Sequence, residues 1–148
     1  MGSKNALPDI SADNDLPPLV KPGFYELAFV DYKTARMFRG KAEKLIMNFR
    51  IITFGEYFET ELSRYYNVKR IIGKPQRNGN FKPSMKGAFL REYMTLFTGR
   101  VNRLDRIPMS YFEKAIIEGR VETVKRAQGR NIPTELQYSV ITELRRKK

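Results

Sequence analysis

Apolar and polar residues alternate along several short runs of this chain, and this alternation is the feature that most constrains its fold. From Leu45 to Ile51 every second residue is apolar, while Asn48 and Arg50 occupy positions between them. A period of two is typical of a β-strand with one buried face. We predict five such strands, over residues 24–33, 45–51, 57–68, 120–126 and 138–144.

The period changes between the third and the fourth of these runs. Apolar residues from Phe89 to Phe97 recur at a spacing near 3.6, which is typical of an amphipathic helix. Ser110 and Glu113 form a capping-box pattern, which predicts the start of a second, short helix. We expect this helix to end at Gly119, because glycine favours the position that follows a helix.

The order of these elements predicts a particular fold class. Three meandering strands, a helical segment and two further strands are the order of the OB-fold, a five-stranded, partly open Greek-key barrel. We therefore expect a mainly β protein, an OB-fold-like barrel with its helical segment between strands three and four. In this fold the binding surface is the face of strands two and three, flanked by two loops. Here these loops are residues 33–44 and residues 127–133.

The 148 residues fit one domain of ordinary size. We expect residues 23–144 to form the barrel domain. Residues 1–22 contain Asp9, Asp13 and Asp15 among four prolines, which predicts a flexible arm. Residues 145–148 are all basic, and we expect them to form a short, frayed tail.

Several classes of function are disfavoured by what the chain lacks. It has no cysteine and no histidine, so thiol nucleophiles, thiolate metal sites and the usual near-neutral acid–base group are missing. Asp31, Glu43, Glu59 and Glu61 fall on predicted strands without the spacing of a metal site. We therefore predict no enzyme activity, no metal and no cofactor. No apolar run is long enough for a membrane span, and no signal region opens the chain.

Basic residues dominate the middle of the chain. The net charge is +12, and between Glu61 and Glu92 there are eight basic residues and no acidic one, with Tyr65 and Phe81 among the aromatic residues interspersed. A field of one sign with flat rings suits a polyanion whose bases can stack. Two alternatives to nucleic acid remain open: the basic stretch contacts another anionic surface, or it is only a solvated basic face without a partner.

Lysines and arginines on the predicted loops and strand face are the candidate phosphate contacts. Neutralising phosphates releases condensed counterions, so each contact adds an affinity that salt removes. For any single residue, an ordinary solvated surface charge is the competing interpretation. The candidates are Lys33, Arg36, Arg39, Lys41, Lys44, Arg50, Arg64, Lys69, Arg70, Lys74, Arg77, Arg126 and Arg130.

Exposed aromatic rings would stack on unpaired bases, which duplex DNA hides. Tyr65 is the first candidate, because it has the opposite parity to Leu62 in the third strand. Phe38, in the first basic loop, is the second candidate, and Tyr32 and Phe81 follow. Packing in the core or in a loop is the alternative role for each ring.

The chain resembles the small single-stranded-DNA-binding proteins of bacteriophages and mobile elements, a group of OB-fold proteins. The resemblance lies in residues 22–25 (Pro-Gly-Phe-Tyr) at the opening of a strand, residues 45–51 before the turn at Gly55, and Ile132-Pro133 followed by residues 138–141. It implies coating of single-stranded DNA without sequence preference, during replication or recombination in the cytoplasm of a bacterial host. The implied partners are single-stranded DNA, RNA as a second polymer, a second copy of the chain, or replication and recombination proteins.

One departure from this group concerns the carboxyl end. Many bacterial single-strand binders end in an acidic tip that recruits other proteins, whereas residues 145–148 are basic, which puts that mode of recruitment in doubt. Three other functions stay open: an RNA-binding module of the same fold, a basic adaptor for an acidic protein, and a small nuclease. Competition between matched DNA and RNA strands would identify the RNA-binding module. The adaptor would not bind oligonucleotides even at low salt, and the nuclease would degrade a labelled strand when Mg²⁺ is present.

Overall fold

The computed structural model describes residues 18–37, 39–98, 103–127 and 129–147. Strands make up most of the regular structure in these residues. The strands are β1 (Gly23–Met37), β2 (Ala42–Ile51), β3 (Glu61–Asn67), β4 (Arg70–Ile72), β5 (Asn80–Lys82), β6 (Ile116–Val124), β7 (Arg126–Ala127), β8 (Arg130–Asn131) and β9 (Tyr138–Arg146). The helices are α1 (Ala88–Leu96) and two 3₁₀ helices, Met109–Lys114 and Thr134–Leu136.

Five of the strands form one sheet that closes into a ring. Its order is β1, β2, β3, β9 and β6, and β6 pairs with β1 to complete the circle. All neighbours are antiparallel except β3 and β9, which run parallel. The predictions of a mainly β chain, and of a helical segment between the third and fourth of five principal strands, are confirmed.

The alternation in β2 places one row of side chains inside this ring. Leu45, Met47, Phe49 and Ile51 are fully buried. The residues between them point outward, because successive side chains of a strand lie on opposite faces. Burying one such side chain stabilises the fold by roughly 1.5–3 kcal/mol, so this row alone fixes the register of β2.

Aromatic rings connect the two helical elements to the interior. Phe112 of the first 3₁₀ helix lies with its ring centroid 5.8 Å from that of Phe29 and 6.4 Å from that of Phe49. On its other side it contacts Phe97, at 4.9 Å, and Tyr93 of α1, at 5.7 Å. The helical segment therefore belongs to the same core as the ring of strands.

The prediction that the second helix ends at Gly119 is wrong. The 3₁₀ helix stops at Lys114, and Gly119 lies inside β6. A Cβ atom at this position would collide with Leu27 and press on Ile141. The glycine therefore allows a close approach of neighbouring strands, which explains its place in a strand.

A buried carboxylate joins β3 and β9 at their parallel seam. The ladder there contains one residue pair within the described ranges, Arg64 and Ile141. Glu92 of α1 compensates: its Oε1 accepts hydrogen bonds from the hydroxyl of Tyr66 at 2.6 Å and from the backbone N–H of Leu144 at 3.1 Å. Its Oε2 forms an ion pair with Arg64 Nη2 at 2.7 Å. One side chain thus connects α1, β3 and β9.

The last residues of the predicted arm belong to the folded domain. Val20 is buried, and its backbone N–H donates to Ser139 Oγ at 2.7 Å while its carbonyl accepts from the same hydroxyl at 3.1 Å. The backbone N–H of Ser139 also donates to the carbonyl of Pro18, at 3.4 Å. Residues 18–22 are therefore tied to the start of β9. Residues 1–17 of the predicted arm lie outside the described residues.

The basic tail is also part of the sheet. Arg145 and Arg146 extend β9, and the guanidinium of Arg145 lies 3.8 Å from the ring centroid of Phe24 while pairing with Glu118. Lys147 Nζ lies 3.0 Å from a carboxylate oxygen of Glu26. The expectation of a frayed tail is thus corrected through residue 147, because acids on neighbouring strands pair with its charges. Lys148 lies outside the described residues.

Strand boundaries differ from the prediction at both hairpins. β1 continues to Met37 and β2 begins at Ala42, so the predicted loop at residues 33–44 shortens to a tight turn. A register shift between Phe29 and Asp31 changes the partner row without ending β1. The third strand begins at Glu61 rather than at residue 57, after a longer turn. Long basic side chains were interpreted as a loop, although they lie on strands with their charges in solvent.

The two long predicted loops contain further pairing. In residues 69–86, β4 and β5 form a small hairpin, and Phe81 is buried against Phe89 with ring centroids 5.3 Å apart. The backbone N–H of Thr34 donates to the carbonyl of Gln76 at 3.0 Å, which attaches this segment to the free edge of β1. In residues 127–133, β8 pairs with β7.

No helix of the described residues is both long enough and apolar enough to cross a membrane.

Candidate nucleic-acid interface

Outward side chains in three successive rows of β1, β2 and β3 form one continuous surface, which we call the outer face. Registers between the strands arrange it in rows: Lys33 lies beside Ile46 and Tyr65 in one row. A second row consists of the polar residues Asp31, Asn48 and Ser63. In a third row, Lys44 lies beside Asn67. The outer face consists of Asp31, Lys33, Ala35, Lys44, Ile46, Asn48, Ser63, Tyr65 and Asn67.

Tyr65 presents an accessible ring near the middle of this face. Its neighbours of opposite parity, Leu62 and Tyr66, are buried, whereas Tyr65 is 38% exposed, as its parity predicted. Burial raises the pKa of Tyr65, and a hydrogen bond with Ser63 partly opposes this. Burial raises the pKa of Tyr138, and the neighbouring Tyr65 raises it further. Tyr65 is therefore neutral near pH 7 and offers part of its ring for stacking.

Two lysines lie in the rows beside this ring. Lys33 is exposed, and none of the described carboxylates lies within ion-pair distance of it. Lys44 donates from Nζ to Asn67 Oδ1 at 2.6 Å, and partial burial lowers the pKa of Lys44. Both ammonium groups lie on the same surface as Tyr65, which combines a positive field with a stacking platform.

A polar chain crosses the outer face next to these lysines. Asn48 Nδ2 donates to Asp31 Oδ1 at 2.7 Å, and Ser63 Oγ donates to Asn48 Oδ1 at 2.6 Å. Arg77 Nη2 lies 3.7 Å from Asp31 Oδ2. Hydrogen bonds and a cation therefore offset the negative charge of Asp31, which reduces its repulsion of a phosphate chain.

The β1–β2 hairpin carries basic residues beside the outer face. Arg39 and Lys41 are exposed at its turn, and no described carboxylate forms an ion pair with either. Arg36 instead pairs with Glu43, at 3.1 Å. A hydrogen bond from the backbone N–H of Ile71, followed by this pair with Arg36, lowers the pKa of Glu43. Arg36 therefore anchors the hairpin, while Arg39 and Lys41 offer open charges.

A second basic hairpin lies on the connection between β6 and β9. β7 and β8 lie between the end of β6 and Tyr138, which neighbours Tyr65. Arg126 Nη2 donates to the carbonyl of Gly129 at 2.9 Å, which orders the hairpin turn, and Arg130 is exposed. The hairpin therefore carries both predicted arginines of this segment on the connection between β6 and β9.

The segment from β4 to β5 adds further exposed cations. Lys69, Arg70 and Lys74 are exposed, and none of them forms an ion pair with a described carboxylate. Three hydrogen bonds between Thr34 and Gln76, 3.0–3.3 Å long, hold this segment against β1. A backbone bridge also places Arg77 opposite Lys33.

Two other predicted contacts are paired with carboxylates. The guanidinium of Arg64 is buried between Glu92 and the ring of Tyr66, so Arg64 does not belong to the outer face. Arg50 points outward on β2, but it pairs with Glu59, at 3.0 Å, at the end of the strand far from the β1–β2 turn. Both arginines are used by carboxylates of the protein itself.

Two of the lower-ranked aromatic candidates are packing residues. Tyr32 is half-buried, with its ring centroid 6.3 Å from that of Phe29, and Phe81 belongs to the core. Phe38 lies outside the described residues. Tyr65 is therefore the predicted ring that the described structure leaves accessible on this face.

The neutral polar residues of the outer face were missed. Asn48, Ser63 and Asn67 carry no charge, so a search for cations and rings does not find them. Their parity was nevertheless available, because residues 63, 65 and 67 alternate with the buried Leu62 and Tyr66. Amide and hydroxyl groups beside a stacking ring can donate to base edges or phosphate oxygens.

The described residues contain no cluster of three or more acidic residues that could hold a metal ion. Three of the four carboxylates considered for such a role have other partners: Asp31 bonds with Asn48, and Glu43 and Glu59 pair with arginines.

Protein-family models, curated proteins and solved structures were each compared with the chain, and none of them matches it.

Proposed function

We propose that this protein binds and coats single-stranded DNA without sequence preference, during replication or recombination of a phage or other mobile element. The observation that carries the proposal is the outer face, where the accessible ring of Tyr65 shares a row with Lys33, with Lys44 in the next row and the basic β1–β2 turn beyond it. The chain thus combines, on one surface, a positive track for the backbone and a platform for bases.

The topology supports the same reading. A ring of five strands with a helical segment between the third and fourth is compatible with an OB-like barrel. OB-folds bind oligonucleotides on the face of strands two and three, between the loops that follow strands one and four. In this chain the corresponding surface is the outer face, and the corresponding connections are the two basic hairpins.

Two physical terms contribute to the affinity. Each phosphate that a lysine or arginine neutralises releases condensed counterions, giving a log–log salt slope of about −0.7 per contact for single strands. A base stacked on Tyr65 contributes roughly 1–3 kcal/mol. Neither term depends on base identity, and stacking requires an unpaired base, so single strands are favoured over duplexes.

The test is a titration of labelled single-stranded DNA, duplex DNA and RNA of equal length, at two salt concentrations. We expect the tightest binding to single-stranded DNA and a steep fall in affinity with salt. A slope near zero would refute the electrostatic mechanism. Tighter binding to RNA would assign the outer face to RNA, and absence of binding to every strand at low salt would overturn the proposal.

A second exposed ring provides a control for the stacking role. Tyr65 is 38% exposed on the outer face, and Phe24 is 46% exposed near the start of β1, beside Arg145. We expect Tyr65→Ala to weaken single-strand binding by about 1–3 kcal/mol, with Tyr65→Phe close to the wild type. Phe24→Ala should leave binding unchanged. If Tyr65→Ala instead lowers only the melting temperature, the ring is a packing residue.

A further inference from the structure

An exposed pair of aromatic rings lies on the turn between β2 and β3, away from the outer face. Phe54 is 92% exposed and Phe58 is 43% exposed, and their ring centroids are 5.9 Å apart in an edge-to-face arrangement. The turn is well ordered: the backbone N–H of Ile51 donates to the carbonyl of Thr60 at 2.8 Å. The structure therefore holds Phe54 outward on a fixed turn.

The charge of this turn is opposite to that of the molecule. Residues 51–61 contain Glu56, Glu59 and Glu61 and no basic residue, although the net charge of the chain is +12. Arg50 neutralises Glu59, but no described cation lies within ion-pair distance of Glu56 or Glu61. We call residues 52–61 the acidic turn. Its sign disfavours nucleic acid and favours a basic surface with an apolar recess.

Such a recess is present on the same chain. A cavity of about 380 Å³ lies between the end of α1 and the first 3₁₀ helix. Phe97 and Tyr111 form one wall, with ring centroids 5.8 Å apart. Lys114 and Arg146, both exposed, provide its positive charge. Arg146 also donates to the carbonyl of Thr95 at 3.2 Å, which holds its guanidinium at the end of α1.

We propose that the acidic turn of one copy inserts Phe54 into this cavity of a second copy, with Glu56 facing Lys114 and Arg146. The turn and the cavity complement each other in both polarity and charge. The turn and the cavity share no residue, so the contact is head-to-tail and leaves a free turn and a free cavity at the two ends. Neither contains a residue of the outer face.

Sedimentation velocity over a concentration series, without nucleic acid, tests this contact. We expect wild-type protein to associate as concentration rises, and Phe54→Ala to raise the dissociation constant at least about tenfold, roughly 1.4 kcal/mol. Phe54 is almost fully exposed, so its removal should leave the melting temperature unchanged. Met85→Ala is the matched control, because Met85 is 69% exposed but lies outside both surfaces. Wild-type protein that stays monomeric, or Phe54→Ala that associates normally, would overturn the proposal.

Mixing two variants distinguishes this contact from a symmetric one. Lys114→Glu keeps an intact turn and Phe54→Ala keeps an intact cavity, so each alone should stay monomeric and their mixture should stop at a 1:1 dimer. A chain carrying both Glu56→Lys and Lys114→Glu should recover association. If Lys114→Glu alone associates as the wild type does, the turns contact each other and the cavity is not used. Because no nucleic acid is present, failure here is independent of the proposed DNA binding.

Discussion

Replacement of Glu92 by glutamine is the sharpest test of how the ring of strands is held closed. The side chain of Glu92 is 8% exposed and that of its partner Arg64 is 11% exposed, so neither charge is well hydrated. Glutamine keeps the shape but removes the negative charge, which leaves a buried guanidinium without a counter-ion. Breaking a buried ion pair in this way costs about 3–5 kcal/mol. Since a domain is stable by roughly 5–15 kcal/mol, much of the stability should be lost.

Urea unfolding followed by circular dichroism measures this loss, because the chain has no tryptophan to report by fluorescence. The matched control is Glu59→Gln, whose pair with Arg50 is 57% and 43% exposed on the two sides. An exposed pair contributes about 0–1 kcal/mol, so the control should barely move the midpoint. If Glu92→Gln costs no more than Glu59→Gln, the carboxylate does not hold the seam.

A second variant separates the ion pair from the rest of the network. Arg64→Met combined with Glu92→Leu removes both charges together, so no buried charge is left alone. We expect this double variant to be more stable than Glu92→Gln by itself, because the uncompensated guanidinium accounts for most of the cost. Glutamine keeps a carbonyl oxygen that can accept from the hydroxyl of Tyr66, whereas the leucine of the double variant cannot. Adding Tyr66→Phe to both proteins removes this difference and makes the comparison fair.

Three further outcomes can be measured. Gly119→Ala should destabilise the fold by about 1–3 kcal/mol in urea unfolding, because the added methyl group collides with Leu27. Burial, reinforced by the Glu92 carboxylate, raises the pKa of Tyr66 well above 10.0, so the folded state holds this proton more tightly than the unfolded chain. The resulting stability is complete below about pH 10 and is lost as the pH rises further, and Tyr66→Phe should flatten that loss in urea titrations at about pH 9 and 11. Lys33→Ala should reduce the salt slope of single-strand binding by about 0.7 if Lys33 contacts one phosphate.

Features that depend on neighbouring residues were predictable from the sequence. The alternation in β2 predicted its buried row, and the spacing from Phe89 predicted α1. The outward position of Tyr65 followed from the parity of Leu62 in the same strand. Each of these properties is set by the geometry of one strand or one helix, which the local sequence encodes.

Features that depend on distant partners were not predictable. Arg64 has the same inward parity as Leu62 and Tyr66, but its charge suggested that it would be exposed. Its burial depends on Glu92, which lies on α1 rather than on the same strand. Gly119 resembles a helix stop until Leu27 of the adjacent strand is placed against it. In both cases a tertiary contact outweighs a local preference.

The exposed residues of the candidate site show the same division. The basic segments could be identified from the sequence. Which of their charges remain available to a ligand depends on the ion pairs that form in the folded chain. Arg36 and Arg50 are taken by nearby glutamates, whereas Lys33 and Lys41 are left to solvent within the described residues. The sequence cannot show this, because the pairing depends on which residues face one another across strands.

The parallel seam between β3 and β9 determines where the folded domain opens locally. Antiparallel ladders join the other neighbours of the ring over much of their length, while β3 and β9 depend on a side chain delivered by α1. Detachment of α1 therefore exposes the edge of β9 that faces β3, while β1, β2 and β3 stay paired. Amide protons along this edge should exchange with deuterium through local opening, and those of β2 only when the whole domain unfolds.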